Sequence, residues 1–86
     1  MIQDYQINEN TFSLLGRSDV EDINKKFKLH LPDSDEYETV AGLLLFYHED
    51  IPKKDDTIEL EDYRFTILNV NKTTILEVKL EVLSLK

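Results

Sequence analysis

Residues 37–52 read YETVAGLLLFYHEDIP and contain the longest apolar run of the chain, Val40–Tyr47. Thr39 is a residue type that caps helix N-termini, and the run behind it is apolar on almost every side of a helix. A buried strand would give a similar run, although Gly42 and three successive leucines favour a helix. The segment therefore predicts a core helix, and Ile51-Pro52 is expected to lead the chain out of that helix and into the sheet.

Two strand-like runs stand near the N-terminus, Tyr5–Ile7 and Phe12–Leu15. They flank Asn8-Glu9-Asn10, and asparagine tolerates a positive φ in a turn. This arrangement predicts a β-hairpin.

An amphipathic helix is predicted between the hairpin and the apolar run. Ser18 and Glu21 have the spacing of a capping box, and the apolar residues behind them recur three and four positions apart. Lysines near the other end suit the helix dipole. We expect the helix to end near Phe27 or Lys28.

The pattern changes to period two after Ile51-Pro52. Three runs show it: Thr57–Glu61, Tyr63–Ile67 and Leu76–Val82. Glu61-Asp62 and Asn71-Lys72 are the expected tight connections. In the last run, three apolar residues are expected on the face opposite three charged ones: Leu76, Val78 and Leu80 against Glu77, Lys79 and Glu81. The fold class is α+β, with an N-terminal hairpin, two helices and a three-stranded antiparallel meander in one sheet.

The chain has 86 residues, a formal net charge of −8 and no cysteine. This length supports one hydrophobic core, so we expect a single domain over residues 1–86. Without cysteine there is no disulfide framework, thiolate zinc site or cysteine nucleophile. The negative charge disfavours binding of nucleic acid, which is held by clustered Lys and Arg. The apolar run is far below the roughly 20 residues of a membrane span, so we expect this segment to be soluble and not inserted.

No catalytic motif is recognisable. His30 and His48 stand in no arrangement that would activate a nucleophile. Gly16 and Gly42 are too far apart for a phosphate-binding loop. The sequence predicts that the chain is not an enzyme.

Acidic residues offer a hypothesis for a metal site. Asp33, Asp35 and Glu36 place oxygen ligands in one loop, where they would suit Mg²⁺ or Ca²⁺ if the backbone curled around the ion. The alternative is a solvated loop without the glycine and distant glutamate of an EF-hand. Glu49-Asp50 and Asp55-Asp56 form a second acidic group, which would share an ion, act as a general acid/base pair, or consist of ordinary turn residues with solvated carboxylates.

Tyrosines raise the question of a small-molecule site. Tyr37, Tyr47 and Tyr63 would offer a stacking surface, or would simply be core and edge aromatics with hydroxyls in water. An apolar cleft beside the helix of residues 37–52 would bind FAD or an adenine nucleotide under this hypothesis.

Several short motifs follow one another in a distinctive order: Gly16-Arg17, Val20–Asn24, Leu31-Pro32, Tyr37–Leu43, Ile51-Pro52, Tyr63–Phe65 and Val70. In this order they resemble the transporter-associated domain of the CorC/HlyC family, over nearly the whole chain from about Tyr5 to Leu83. The most specific part is Tyr-x-Thr-x-x-Gly beginning at Tyr37 and followed by Ile-Pro.

The resemblance implies a cytosolic C-terminal module of bacterial membrane proteins called hemolysins or magnesium and cobalt efflux proteins. In that family the module follows a membrane domain and paired CBS domains, so the implied partners are those domains, or a second copy in a homodimer. The implied role is accessory or regulatory in ion transport at the cytoplasmic face of the membrane. The family fold also resembles part of the FAD-binding domain of flavin oxidoreductases, but a shared fold does not carry a flavin site with it.

The chain departs from the family pattern at three turns. Glu49-Asp50 and Asp55 stand where the family has glycine around the Ile-Pro pair, and Asn10 stands at a usual hairpin glycine. Asn and Asp tolerate positive φ better than most residues, so we expect these turns to form.

Overall fold

The N-terminal hairpin is confirmed in the computed structural model, which describes residues 3–48 and 50–83. Strand β1 spans Tyr5–Asn8 and pairs antiparallel with β2, Thr11–Leu15. Asn8 Oδ1 accepts a hydrogen bond of 3.0 Å from the Asn10 amide, and this bond holds the turn. Asn10 does not adopt the positive φ for which an asparagine was expected there.

Helix α1 spans Val20–Phe27 and buries Val20 and Ile23. Its end is as predicted, because Lys28 takes a left-handed φ of 57° that closes the last turn. The predicted capping box of Ser18 and Glu21 is wrong. Asp19 occupies the N-cap without a side-chain cap bond, so Ser18 lies one residue too early, and its hydroxyl donates to the Asp4 carboxylate instead.

Helix α2 spans Val40–Tyr47, as the apolar run predicted. Thr39 is its cap, and Thr39 Oγ1 accepts a hydrogen bond of 3.1 Å from the Gly42 amide. Four residues of the first turn and a half are buried: Val40, Ala41, Leu43 and Leu44. The last two residues, Phe46 and Tyr47, are 51% and 48% exposed. A helix that lies on a sheet buries one side, so an apolar sequence on all sides leaves some rings in water.

The meander is confirmed, with β3 at Thr57–Leu60, β4 at Tyr63–Val70 and β5 at Ile75–Val82. Glu61-Asp62 make the predicted two-residue turn, in which Glu61 has a φ of 55°. The second connection is longer than predicted and runs over residues 71–74. Asn71 Oδ1 closes it by accepting hydrogen bonds from the amides of Thr73 and Thr74.

The predicted position of Leu76 is wrong. The pairing of β4 with β5 is irregular at this point, where Val70 faces Ile75 but Asn69 faces Glu77. Leu76 is therefore displaced from the alternation and is 40% exposed, while Ile75 is buried. Val78 and Leu80 lie in the core as expected.

The five strands form one antiparallel sheet in the order β1-β2-β5-β4-β3. The inward residues of the sheet and both helices form one apolar cluster, which includes Phe12, Leu14, Phe65, Ile67, Val78 and Leu80 from the strands. The opposite face carries an ion pair of 3.2 Å between Arg64 Nη2 and Glu59 Oε2. Both partners are exposed, so this pair contributes little to stability.

Candidate functional site

The first candidate site is a cleft of about 420 Å³ between the start of α1 and the loop that precedes α2. We call it the acidic cleft because five carboxylates line it: Asp19, Glu21, Asp33, Asp35 and Glu38. A hydrogen bond of 2.9 Å from the Val20 amide to the Glu38 carbonyl joins its two walls. Carboxylates concentrated in this way produce a negative potential that attracts cations.

The acidic cleft contains two of the three predicted metal ligands, Asp33 and Asp35. Glu36 belongs to the same loop but does not line the cleft, and its amide donates to Ser34 Oγ at 3.1 Å. Across residues 3–48 and 50–83, no three His, Asp or Glu side chains are close enough together to hold a metal ion. The cation site at Asp33, Asp35 and Glu36 stays a prediction.

Three aromatic rings pack together beside the acidic cleft, and we call them the aromatic cluster: Tyr37, Phe46 and Tyr47. Ring centroids are 5.4 Å apart for Tyr37 and Phe46, 6.3 Å for Tyr37 and Tyr47, and 5.0 Å for Phe46 and Tyr47. Tyr37 also lines the acidic cleft, so the two features are continuous. Phe46 was missed in the sequence because the run around it was assigned wholly to the core.

Tyr37 is the buried member of the aromatic cluster, with 8% of its surface exposed. Its hydroxyl donates a hydrogen bond of 2.7 Å to the Pro32 carbonyl. The pKa of Tyr37 is raised to about 12, chiefly by burial and also by the neighbouring Tyr47 hydroxyl and the charges of Asp33 and Glu61. The last two causes place negative charge close to the cluster.

Tyr63 does not join the other two tyrosines of the predicted stacking surface. It is buried at the start of β4, and its hydroxyl accepts a hydrogen bond of 2.9 Å from the His30 amide. This bond attaches the loop after α1 to the sheet, which is a structural role.

A second cleft, of about 370 Å³, lies where the start of α2 meets β2 and β5. Its apolar lining comes from four residues: Leu15, Ala41, Ile75 and Leu76. Gly16 also lines it, and a Cβ there would stand 1.9 Å from the Ile75 carbonyl oxygen. This cleft lies beside the start of α2, and none of the three tyrosines of the predicted stacking surface lines it. Binding of FAD or an adenine nucleotide stays a prediction.

Asp4 forms a junction that the sequence did not indicate. Its Oδ1 accepts hydrogen bonds from the Leu15 amide at 2.7 Å and from Ser18 Oγ at 2.8 Å. Lys26 Nζ lies 3.2 Å from the Asp4 carbonyl oxygen and donates to it. Asp4 thus connects the chain before β1 to the end of β2 and to α1.

His48 and the described members of the second acidic group take part in turns and local hydrogen bonds. His48 bonds through Nδ1 to the Asp50 carbonyl. Asp55 has a φ of 73°, which confirms the expected turn, and Asp56 Oδ2 accepts a hydrogen bond of 2.9 Å from the Lys53 amide. Glu49, the other member of the second acidic group, lies outside the described residues.

Comparison with known proteins tests the resemblance noted in the sequence. A family model described as the transporter-associated domain CorC_HlyC matches residues 5–84. The chain belongs to the CorC_HlyC family. The fold expected for a CorC_HlyC domain, a hairpin, two helices and a meander in one five-stranded sheet, is the fold observed.

The relatives of this CorC_HlyC domain include transport proteins. It is 25% identical over 77 residues to the magnesium and cobalt efflux protein CorC of Escherichia coli K12, and the match covers 90% of this chain and 26% of that protein. The chain therefore spans about a quarter of the length of the curated relatives it matches. None of the helices formed by the described residues is long and apolar enough to cross a bilayer.

Solved structures share the fold. A functionally unknown conserved protein from Haemophilus influenzae Rd KW20 has a TM-score of 0.83 at 27% identity, covering 94% of this chain and 99% of the other. The CorC_HlyC domain of a Xylella fastidiosa hemolysin, in complex with Mg²⁺ and Mn²⁺, has a TM-score of 0.77 at 18% identity, covering 96% and 100%. At 18% identity the likeness concerns the fold alone.

Proposed function

We propose that this CorC_HlyC domain is a non-enzymatic accessory domain of a bacterial hemolysin-like or magnesium and cobalt efflux membrane protein. It modulates ion transport or assembly from the cytoplasmic face of the membrane. Its partners are the CBS and membrane domains of the same polypeptide, or a second copy of the domain.

One observation carries this proposal: the family match extends over residues 5–84, while the chain spans only 26% of an efflux protein such as CorC of Escherichia coli K12. A segment that recurs as a quarter of a larger transporter is expected to act on the rest of it.

Replacing residues 5–84 of the parent polypeptide by a flexible linker tests the proposal. We expect changed tolerance of the cell to Mg²⁺ and Co²⁺, or a changed oligomer size of the parent in detergent. The substitution Gly16→Ala in the parent polypeptide is expected to change ion tolerance or oligomer size in the same direction as the linker does. Gly42→Ala in the parent is the matched control. Unchanged transport and assembly after the replacement would refute an accessory role.

A second candidate function is divalent-cation sensing at Asp33, Asp35 and Glu36. The acidic cleft favours it, because acidic residues at the start of α1 and in the loop before α2 line one space. In this proposal cation binding neutralises repulsion between the carboxylates and stabilises the folded domain.

Thermal unfolding distinguishes specific binding from screening. We expect millimolar Mg²⁺ to raise the melting temperature more than NaCl of equal ionic strength, and the double variant Asp33→Asn, Asp35→Asn to lose the difference. Equal shifts of the melting temperature in both salts would refute the cation-sensing hypothesis.

The third candidate, binding of FAD or an adenine nucleotide, has the apolar cleft at Gly16 as its site. Its volume of about 370 Å³ lies near the lower end of the range for small-ligand pockets. Calorimetric titration with FAD and with ATP tests it, and absence of heat at millimolar ligand would remove it.

A further inference from the structure

The aromatic cluster exposes two rings in contact with each other. Phe46 and Tyr47 are 51% and 48% exposed, and their ring centroids are 5.0 Å apart. Across residues 3–48 and 50–83 they are the only exposed aromatic residues in mutual ring contact. Large aromatic side chains of this kind carry much of the free energy at protein interfaces.

The exposed rings stand on a rigid base. Tyr37 contacts both rings. It is buried, and its hydroxyl is held by a hydrogen bond to the Pro32 carbonyl. A partner that binds here loses little entropy in ordering the rings, since packing already restricts them.

Acidic residues lie close to the aromatic cluster. Tyr37 is shared with the acidic cleft, whose walls include Asp33, Asp35 and Glu38. Glu61, in the turn between β3 and β4, is also close enough to Tyr37 to act on it electrostatically. An apolar centre with acidic surroundings is complementary to an apolar segment that carries cations.

We infer that the aromatic cluster and the acidic cleft form one docking surface for a polypeptide segment with apolar side chains flanked by Lys or Arg. The inference rests on the proposed accessory function, because such a domain acts through contact with another segment of polypeptide. A second copy fits this surface poorly, since an isologous contact would bring carboxylates against carboxylates. An anionic lipid surface is disfavoured for the same reason.

Binding of three synthetic peptides of equal length to the 86-residue chain tests which chemistry the partner must have. The first is an amphipathic helix with Leu and Phe on one face and Lys on its borders. The second has Glu in place of Lys, and the third keeps Lys but has Ser at the apolar positions. We expect the first alone to bind, with NMR shifts centred on Phe46 and Tyr47, and to weaken severalfold when NaCl rises from about 50 to about 500 mM.

Matched variants test the surface itself. The double variant Phe46→Ser, Tyr47→Ser is expected to raise the Kd of the first peptide roughly tenfold or more. Tyr5→Ser removes an aromatic ring of similar exposure from β1 and is expected to leave the Kd unchanged. The pair Asp33→Asn, Glu61→Gln changes charge without changing size, so it weakens binding and reduces the salt dependence while the fold is preserved.

Several results would overturn the docking surface: equal binding of all three peptides, no binding of the first at millimolar concentration, or dimerisation of the chain that Phe46→Ser, Tyr47→Ser abolishes. The proposed function fails separately. If the linker replacement alters transport while the double variant in the parent does not, the docking surface is wrong and the accessory function stands. If the first peptide binds as expected while replacing residues 5–84 of the parent by the linker changes neither transport nor assembly, the accessory function is wrong.

Discussion

Replacing Gly16 by alanine is expected to destabilise the domain by about 3 to 5 kcal/mol. The Cβ of an alanine would stand 1.9 Å from the Ile75 carbonyl oxygen and 2.9 Å from its carbon, and 3.3 Å from Ala41 Cβ. Ordinary contacts between carbon and a carbonyl oxygen are about 3.3 Å or longer. The backbone of β2 or β5 must therefore move by more than about 1 Å.

That movement lowers the free energy of unfolding because backbone hydrogen bonds hold Gly16 on both sides. The Gly16 amide donates to the Leu76 carbonyl and the Gly16 carbonyl accepts from the Ala41 amide, each at 2.8 Å. Overpacking of this kind costs about 1 to 3 kcal/mol, and each stretched hydrogen bond adds about 1 kcal/mol. The whole domain is expected to be stable by roughly 4 to 13 kcal/mol at this chain length.

Urea unfolding followed by circular dichroism measures the effect, with Gly42→Ala as the control. A Cβ at Gly42 would meet side chains, at 3.0 Å from Tyr37 Cβ and 3.3 Å from Thr39 Oγ1. Tyr37 must give by a few tenths of an ångström, and alanine gains up to about 1 kcal/mol of helix propensity, so we expect a loss well below that of Gly16→Ala. If Gly16→Ala unfolds at the same urea concentration as Gly42→Ala, the close approach of β2 to β5 is wrong.

Three further predictions concern single side chains, each measured by urea unfolding. Thr39→Ala should cost about 1 kcal/mol by removing the α2 cap, whereas Thr39→Ser should retain most of that stability, and equal losses would contradict the cap. Asp4→Ala should cost about 1 to 3 kcal/mol because the Leu15 amide loses its acceptor, while the exposed Glu9→Ala should be neutral. Since folding raises the pKa of Tyr37 from 10.0 to about 12, its contribution is complete below pH 10 and is lost as the pH rises through 12. Tyr37→Phe should lack this loss, and an identical pH profile in both proteins would refute the assignment.

The sequence predicted the type and order of the elements because those signals are local. The apolar run of α2, its Thr39 cap and the period-two runs of the meander involve residues close together in the chain. The errors arose where a distant residue intervened. Ser18 looked like a cap, but its hydroxyl bonds to Asp4, fourteen positions earlier. Leu76 left the alternation because β4 and β5 pair irregularly.

The candidate site could be predicted only in part. Asp33 and Asp35 were recognised because they share one loop, but Asp19, Glu21 and Glu38 join them only when α1 and the loop before α2 are packed together. The same holds for the aromatic cluster, in which Tyr37 reaches Phe46 and Tyr47 only because Tyr37 folds back beside α2.

The amino-acid sequence by itself determined the fold class, the two helices, the hairpin, the meander and the family. Periodicity, capping residues and the order of short motifs express interactions that span a few residues. Tertiary structure alone decided which carboxylates share a cleft, which rings face water, and why Gly16 must lack a side chain. These features depend on contacts between residues far apart in the chain, such as Gly16 with Ala41 and Ile75, and their distances are set by how the sheet and helices pack.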